Sequence, residues 1–350
     1  MTTSVIGIGS SEPSNTVAVA VSKPMTARFP VRLPFTCRVV ADESALTLRW
    51  GRRFRPPFGD LVTQLAVVWA LLGQRHRVDA MVAGRYADLL ALLQALLPVG
   101  RRPLLLLDNE WVIAPRPFLR RVLVRLVRRL TARGAARLQV FCEAEADCYA
   151  EHFGISRDKF VWIPYCPPDA EVDLEVSEGN YVFSGGVHER DWITFAEAVK
   201  DIPVEVRIAA PPEHVPEALR SSNMVFLGRI PRAEYMRQLA GCKLLVLSVT
   251  SVVRFPGVIT YAYAMRLGKC VLINEPLGAR SYISDGVTGR IVASGDATEL
   301  REAAKTLLED DALRQRLGRQ ARSFAERELT ADAYWARVSR AVSEVVGQAS

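Results

Sequence analysis

Between Lys243 and Val292 the chain switches between two hydrophobic periods, and that switching restricts the fold more than any other feature. KLLVLS, Lys243 to Ser248, is an apolar run of strand length. After an irregular loop, Pro256-Gly257 opens a segment whose apolar residues recur at helical spacing until Leu267-Gly268. Pro in a first helical turn and Gly just past the last are start and stop signals. A second apolar strand, Cys270 to Asn274, a Gly-bearing turn, a short helix ending near Asp285-Gly286 and a third short strand complete the series. A βαβ series puts the loop after Ser248 and the start of the 257–267 helix at the carboxyl edge of a parallel sheet, where ligands bind. The unpaired amides of Gly257, Val258, Ile259 and Thr260 there suit a phosphate.

The same alternation runs upstream. Helices are expected over 60–73, 86–97, 117–133 and 143–153, and strands over 78–83, 103–107, 138–141 and 160–163. Alternating strands and helices predict an α/β chain of doubly wound, Rossmann-like parallel sheets. At 350 residues there is room for two domains. Residues 1–28, small and polar with no firm period, read as a leader, and 29–165 as the first domain, opening with two short strands before Trp50 and the loop GRRFRPPFG. The proline- and acid-rich stretch 166–179 reads as a linker, 180–325 as the second domain, and 326–350 as a terminal helix.

Charge is unevenly spread. Residues 1–168 hold 23 Lys and Arg against 13 Asp and Glu, a net +10; residues 169–350 hold 22 against 25, a net −3, which together give the chain's +7. The basic half is expected to meet something anionic. Six cysteines (Cys37, Cys142, Cys148, Cys166, Cys242, Cys270) lack metal-ligand spacing and the density of a secreted scaffold, so they read as reduced thiols. Four histidines (His76, His152, His188, His214) form no ligand set, and no metal is expected. The first residues lack a basic start followed by an apolar core, and the best apolar window, 61–73, is too short to span a bilayer. The expected location is the cytoplasm, with peripheral contact at the inner face of the membrane.

The run GVITYAYAMRLGKCVLINEPLGARSYISDGVTGRIV resembles the donor-sugar half of the group 1 glycosyltransferases of the GT-B fold, family 4-like. Shared with that pattern are the Ala-Met-x-x-Gly-Lys helix end, the Leu-Gly-Ala turn, Asp285-Gly286, Gly289 and Gly295-Asp296. The chain departs from it at the acids. Of two glutamates eight positions apart, the second falls on Tyr263 and the first on Phe255, or on Arg254 with one gap; a further glutamate falls on Tyr282. In the family these acids hold donor hydroxyls or lie near the reacting centre. The resemblance implies two Rossmann-like domains with a cleft between them, a terminal helix that crosses back to the first domain, and metal-independent hexosyl transfer with a nucleotide-sugar as cosubstrate and no other cofactor.

Site residues follow from the same placement. YVFSGGVHERDW puts Gly185-Gly186 and Arg190 where the family holds the donor diphosphate, and the turn at Arg229 where it meets the base. Just past a first-domain strand, Asp108 and Glu110 are candidates for a base toward an acceptor hydroxyl, and Gly84, Arg85 and Tyr86 line the same edge. Outside these sites the strongest signal is the Arg116–Arg137 segment. Leu119, Val122, Leu123, Leu126, Val127 and Leu130 form one helical face, and Arg120, Arg121, Arg125, Arg128, Arg129 and Arg133 form the other, with no acid. Such a helix suits an anionic membrane surface; alternatively its apolar face packs on the sheet and the arginines are a solvated rim.

The expected function is transfer of a sugar from a nucleotide diphosphate to an acceptor, lipid-linked or glycan. Loss of the glutamates motivates a rival, a GT-B-shaped protein without chemistry that acts as partner or activator. A third reading, nucleic-acid binding, has only charge behind it: the Arg helix has no aromatic interleaving, and no nucleic-acid partner is expected.

Overall fold

The structure, a computed structural model, describes residues 17–23, 30–43, 45–46, 58–97, 101–108, 111, 113, 117–186, 189–250, 256–275 and 277–348. The chain divides into two units, Met1–Pro164 with Ala331–Ser350, and Tyr165–Thr330.

In the first unit, β1 (Ala18–Lys23), β2 (Thr36–Asp42), α1 (Phe58–Leu72), β3 (Ala80–Ala83), α2 (Asp88–Leu96), β4 (Leu104–Leu106), α3 (Phe118–Gly134), β5 (Arg137–Val140), α4 (Glu143–Phe153) and β6 (Phe160–Trp162) follow one another. The sheet is parallel throughout, in the order β2-β1-β3-β4-β5-β6. β1 corrects the expected leader: Val19, Ala20 and Val21 are fully buried between β2 and β3. A strand covered on both faces shows an unbroken apolar run, with no alternation to flag it. Val67 and Leu71 of α1, Met81, Leu90, Leu104, Leu138 and Phe160 belong to one core cluster. Trp111 joins it, its ring edge-on to Phe153 at 5.4 Å and to Phe160 at 5.9 Å.

In the second unit come α5 (Asp169–Val172), β7 (Tyr181–Gly185), α6 (Trp192–Val199), β8 (Glu205–Ala209), β9 (Met224–Phe226), α7 (Arg232–Gly241), β10 (Leu244–Leu247), α8 (Val258–Arg266), β11 (Val271–Asn274), β12 (Arg290–Val292), α9 (Ala297–Glu309) and α10 (Asp311–Glu328). The helix expected before Asp285 is a single 3-10 turn, Ala279–Ser281. All strands are parallel, in the order β12-β11-β10-β7-β8-β9. The stretch 166–179, expected as a linker, is tied into this unit. Lys269 Nζ donates to the carbonyl of Ser177 at 2.9 Å, and Glu178 pairs with the buried Arg314 at 2.6 Å. The last helix, α11 (Ala331–Gly347), belongs to the first unit. Trp335 and Val338 are buried there, and the Trp335 indole donates to the carbonyl of Pro30 at 2.8 Å.

Candidate functional site

In the second sheet the strand order reverses between β7 and β10, and outside their carboxyl ends lies the crevice that doubly wound sheets use for ligands. β7 ends at Gly185; Gly186 then turns at φ 101°, which glycine adopts without strain. That turn lets the loop fold back across the sheet edge. Arg190 Nε donates to the carbonyl of Gly185 at 3.0 Å, and Arg190 pairs antiparallel with Val249, just past β10. Two further backbone bonds join the loops, from Asp191 to the Ser248 carbonyl and from Thr250 to the Glu189 carbonyl, both at 3.0 Å. Asn274, at the end of β11, holds Val249 from the other side, accepting from its amide at 2.8 Å and donating to its carbonyl at 2.7 Å. The Asp191 side chain then accepts from the Thr194 amide and starts α6.

α8 starts at the same edge because it follows β10. Its N-cap is Gly257 at φ 90°; Val258 and Thr260 are buried and Ile259 is half exposed. The Thr260 hydroxyl lies 3.3 Å from that of Tyr235 on α7, and the Tyr235 ring packs so close to Gly185 that a Cβ there would fall 2.6 Å from it. Burial pushes the Arg190 guanidinium below its usual pKa, while Tyr235 and Glu189 pull it up; an arginine still keeps its charge. The Tyr235 phenol is pushed up, chiefly by burial. Gly185, Gly186, Arg190 and 257–260 therefore gather at one sheet edge, with Tyr235 and Asn274 added, which no sequence motif marked. Arg229 lies exposed past the edge strand β9, with β8 between that strand and β7. His188 and Phe255 lie outside the described residues.

At the position of the family's second glutamate, Tyr263 is buried and donates to Glu171 Oε2 at 2.6 Å. Arg232 binds the same oxygen at 2.8 Å and stacks over the Tyr263 ring at 4.3 Å. Burial first, then the neighbouring Tyr165 and Glu171, raise the Tyr263 phenol well above the ordinary range, so it is neutral. Tyr282 is buried too, and its hydroxyl accepts from the Tyr165 amide at 2.9 Å.

In the first unit, Asp108 lies just past β4, buried and at φ 58°, a conformation costly for a residue other than glycine. Its amide donates to Gln139 Oε1 at 2.8 Å. Glu110 lies outside the described residues. Past β3, the buried Gly84 donates its amide to Glu43 Oε1 at 2.8 Å. Arg85 is exposed, and Tyr86 turns its ring into the core while its hydroxyl reaches Asp60 at 3.0 Å. No group of three or more His, Cys, Asp or Glu arranged for a metal ion occurs among the described residues.

Of the two readings of the Arg-rich helix α3, packing of its apolar face holds only in part: Val127 and Leu130 are half-buried, and the rest of the face is exposed. Leu119 is 80% exposed, and Phe118, Val122, Leu123 and Leu126 are also exposed. The side that packs is Val124, Arg128, Thr131 and Ala132, with the exposed Arg125 and Arg129 beside it. Arg125 donates to the carbonyl of His152 and Arg129 to that of Phe153, satisfying the end of α4, while Arg128 pairs with Asp88 at 3.0 Å and lies 4.9 Å over the Trp111 ring. Arg120, Arg121 and Arg133 remain exposed. On α1, Leu61, Leu65 and Trp69, spaced four apart, are exposed as well. No helix among the described residues is long and apolar enough to cross a membrane.

Comparison with known proteins agrees with this architecture. Residues 213–324 match the sequence model of the glycosyl transferases, group 1. No curated protein is similar enough in sequence to count as a relative. Among solved structures, Anabaena Alr3699/HepE in complex with UDP and glucose is similar over 94% of this chain and 100% of its own, at 14% identity and TM-score 0.62. Sucrose-phosphate synthase from Thermosynechococcus elongatus is similar over 95% of this chain and 89% of its own, at 14% identity and TM-score 0.64. A glycosyltransferase from Rickettsia africae is similar over 95% and 99%, at 10% identity and TM-score 0.63.

Proposed function

We propose that this chain, a GT-B-fold protein with a group 1 glycosyl transferase region over residues 213–324, moves a hexosyl group from a UDP-sugar to a hydroxylated acceptor, lipid-linked or glycan. The observation that carries the reading is the switch-point crevice between β7 and β10, where a glycine turn, a fixed guanidinium and a helix N-terminus share one edge. Each is a group that favours a phosphate, and together they fit a diphosphate. UDP in the Anabaena neighbour's complex supports uridine as the base.

In this reading the α8 amides and Arg190 neutralise charge as it develops on the departing diphosphate, which is the larger part of catalysis here and needs no metal ion. Positioning of the acceptor supplies the rest. Asp108 is the carboxylate offered to the acceptor hydroxyl, with Gly84 and Arg85 on the same strand edge. Arg229 is left a contact with the donor through its turn. Titration of UDP into wild type and Arg190→Ala tests the site: equal affinity removes Arg190 from it, and no UDP binding in either protein removes the donor reading.

One observation favours the rival reading of a partner or activator without chemistry. The carboxylate nearest the missing second glutamate, Glu171, is engaged by Arg232 and Tyr263. Release of UDP from a panel of UDP-sugars, with water, glycosides and lipid-linked sugars as acceptors, separates the two readings.

The exposed face of α3 supports binding at an anionic membrane surface, from the cytoplasmic side. Leu119, Val122, Leu123 and Leu126 would enter the interface while Arg120, Arg121 and Arg133 meet lipid phosphates. Co-sedimentation with phosphatidylglycerol vesicles, and its absence with phosphatidylcholine alone, is the expected result.

A further inference from the structure

Two parts of the second sheet's carboxyl edge, the turn after β7 and the start of α8, are bridged by one side chain that belongs to neither. The connections from β9 to β10 and from β10 to β11 cross the sheet in the same direction, so right-handed crossovers put α7 and α8 on one face, both starting at the carboxyl edge. Tyr235, in the first turn of α7, reaches both parts from there. Its ring is edge-on to Phe183 of β7 at 5.1 Å. A Cβ on Gly185 would fall 2.6 Å from the Tyr235 ring, and a Cβ on Gly186 would fall 2.6 Å from the Arg190 guanidinium, so each glycine of the turn is covered by one side chain. At its far end the Tyr235 hydroxyl lies 3.3 Å from that of Thr260, in the first turn of α8.

The proton count of this contact points to a third partner. Phenol and alcohol carry one proton each and share one hydrogen bond, so one O–H is left without an acceptor among the described residues. Threonines inside helices turn that proton back onto their own backbone: Thr131 of α3 donates to the carbonyl of Val127 at 3.1 Å, and Thr306 of α9 to that of Glu302 at 2.9 Å. Thr260 has Tyr235 as its side-chain partner instead. A phenol is a far stronger acid than an alcohol, so Tyr235 donates, Thr260 accepts, and the spare proton is the threonine's. The groups that share this edge, the first amides of α8 and the Arg190 guanidinium, are donors as well. Such a set lacks an acceptor, and an anionic oxygen is the acceptor that suits it best.

We propose that Tyr235 and Thr260 act as one hydrogen-bonded unit on the donor diphosphate: Thr260 gives its proton to a phosphate oxygen, and Tyr235 is the positioning residue that fixes the direction of that hydroxyl. The proposal rests on the UDP-sugar reading and adds two side chains to it. The unit recognises phosphate alone and is indifferent to the base and the sugar. It also explains the bare turn. Any side chain at Gly185 would displace the Tyr235 ring and, with it, the hydroxyl that orients Thr260.

Calorimetric titration of the full chain with UDP, and with uridine as the phosphate-free control, tests the unit. Thr260→Val keeps the shape and removes the hydroxyl, so it should weaken UDP about 10-fold and leave uridine unchanged. Thr260→Ser keeps the hydroxyl and should bind UDP within about twofold of wild type. Tyr235→Phe keeps the ring against Gly185 but releases the threonine hydroxyl from its direction, and should weaken UDP about 3- to 10-fold. Because the two hydroxyls act as one, the double variant should lose no more than Thr260→Val alone. Equal UDP affinity in wild type and Thr260→Val, or additive losses in the double variant, overturns the proposal. So does a loss that falls equally on uridine and UDP, since the pair then only holds α8 in place. If wild type binds no UDP, the donor reading and this proposal fall together. If wild type binds UDP and Arg190→Ala weakens it while Thr260→Val does not, the reading stands and the Tyr235–Thr260 unit alone is refuted.

Discussion

The two sheet edges carry opposite chemistry, and each opposes the net charge of the sequence around it. Residues 1–168 are net +10, yet the switch-side edge of their sheet gathers two carboxyls, Glu43 and Asp108. Residues 169–350 are net −3, yet their edge gathers a guanidinium and a helix N-terminus. Net charge is a property of surface that water screens within about 10 Å at ordinary ionic strength. An edge is set by the few residues that the strand ends deliver into low dielectric, where one group outweighs many solvated ones. The arginines that make the first half basic are largely elsewhere: α3 uses Arg125, Arg128 and Arg129 to pack against α4 and α2.

The largest effect expected from this contrast is on stability against pH. The Glu43 carboxyl is raised from 4.5 to about 8 in the folded state. Above 4.5 the unfolded chain releases a proton that the folded chain retains, so wild type loses stability as pH rises from there to about 8 and is then level. Glu43→Gln, which cannot ionise, lacks this loss. Denaturant midpoints at pH 5 and pH 8.5 should diverge between the two proteins, by on the order of a few kcal/mol. Parallel pH dependence would make the first edge as ordinary as any solvated carboxylate.

Next in size is the second edge. If Arg190 meets the donor diphosphate as proposed, its charge-assisted contacts are of the kind worth about 1.5–3 kcal/mol, so Arg190→Ala should bind UDP about 10- to 100-fold more weakly by calorimetry. Uridine, which lacks the phosphates, should bind both proteins alike. If uridine and UDP lose affinity equally, the variant has disturbed the fold of the loop instead of removing a phosphate contact.

What could be read in the sequence follows the same division. The βαβ periods, the glycine turn at Gly185-Gly186 and the start of α8 are local features, and the structure has the helix and strands within one or two residues of their expected bounds. β1 was hidden because AVAVSK combines small residues with an unbroken apolar run, which a leader and a fully buried strand share. Glu43 stands alone in ADES with no motif, and only the order β2-β1-β3-β4 brings it to Gly84 and Asp108. The periodicity of α3 set out an apolar and a basic face but missed that the line between them, Val124, Arg128, Thr131 and Ala132, is the one that faces inward. Beside that line, the carbonyls of His152 and Phe153 at the end of α4 accept from Arg125 and Arg129.

A smaller effect is expected at Tyr263, which stands where the group 1 pattern has its second glutamate. Its phenol donates to Glu171, an acceptor that Arg232 also binds, so Tyr263→Phe removes one of several bonds to a charged group. The loss should be about 1–2 kcal/mol of stability, with UDP affinity changed less than in Arg190→Ala. Loss of all UDP-sugar turnover in Tyr263→Phe at unchanged UDP affinity would show that the hydroxyl takes part in the reaction.

The smallest effect on stability, and the most direct test of where the first half's basic character acts, is expected on α3. Leu119 is 80% exposed and Leu123 lies exposed one turn on, so neither contributes to the core, and replacing both with Ser should change the unfolding free energy by no more than about 0.5 kcal/mol each. Attachment to vesicles should respond quite differently. Were the apolar face packed on the sheet, binding would rest on charge alone and vanish at high salt. With the face exposed, part of the attraction is apolar burial, which salt does not screen, so wild type should retain some binding to phosphatidylglycerol vesicles at 0.5 M salt, where the Debye length falls below about 8 Å. The double Ser variant should keep its binding at low salt, through Arg120, Arg121 and Arg133, and lose it at high salt. If wild type and variant leave the vesicles at the same salt concentration, the apolar face does not enter the lipid and the arginines alone account for attachment.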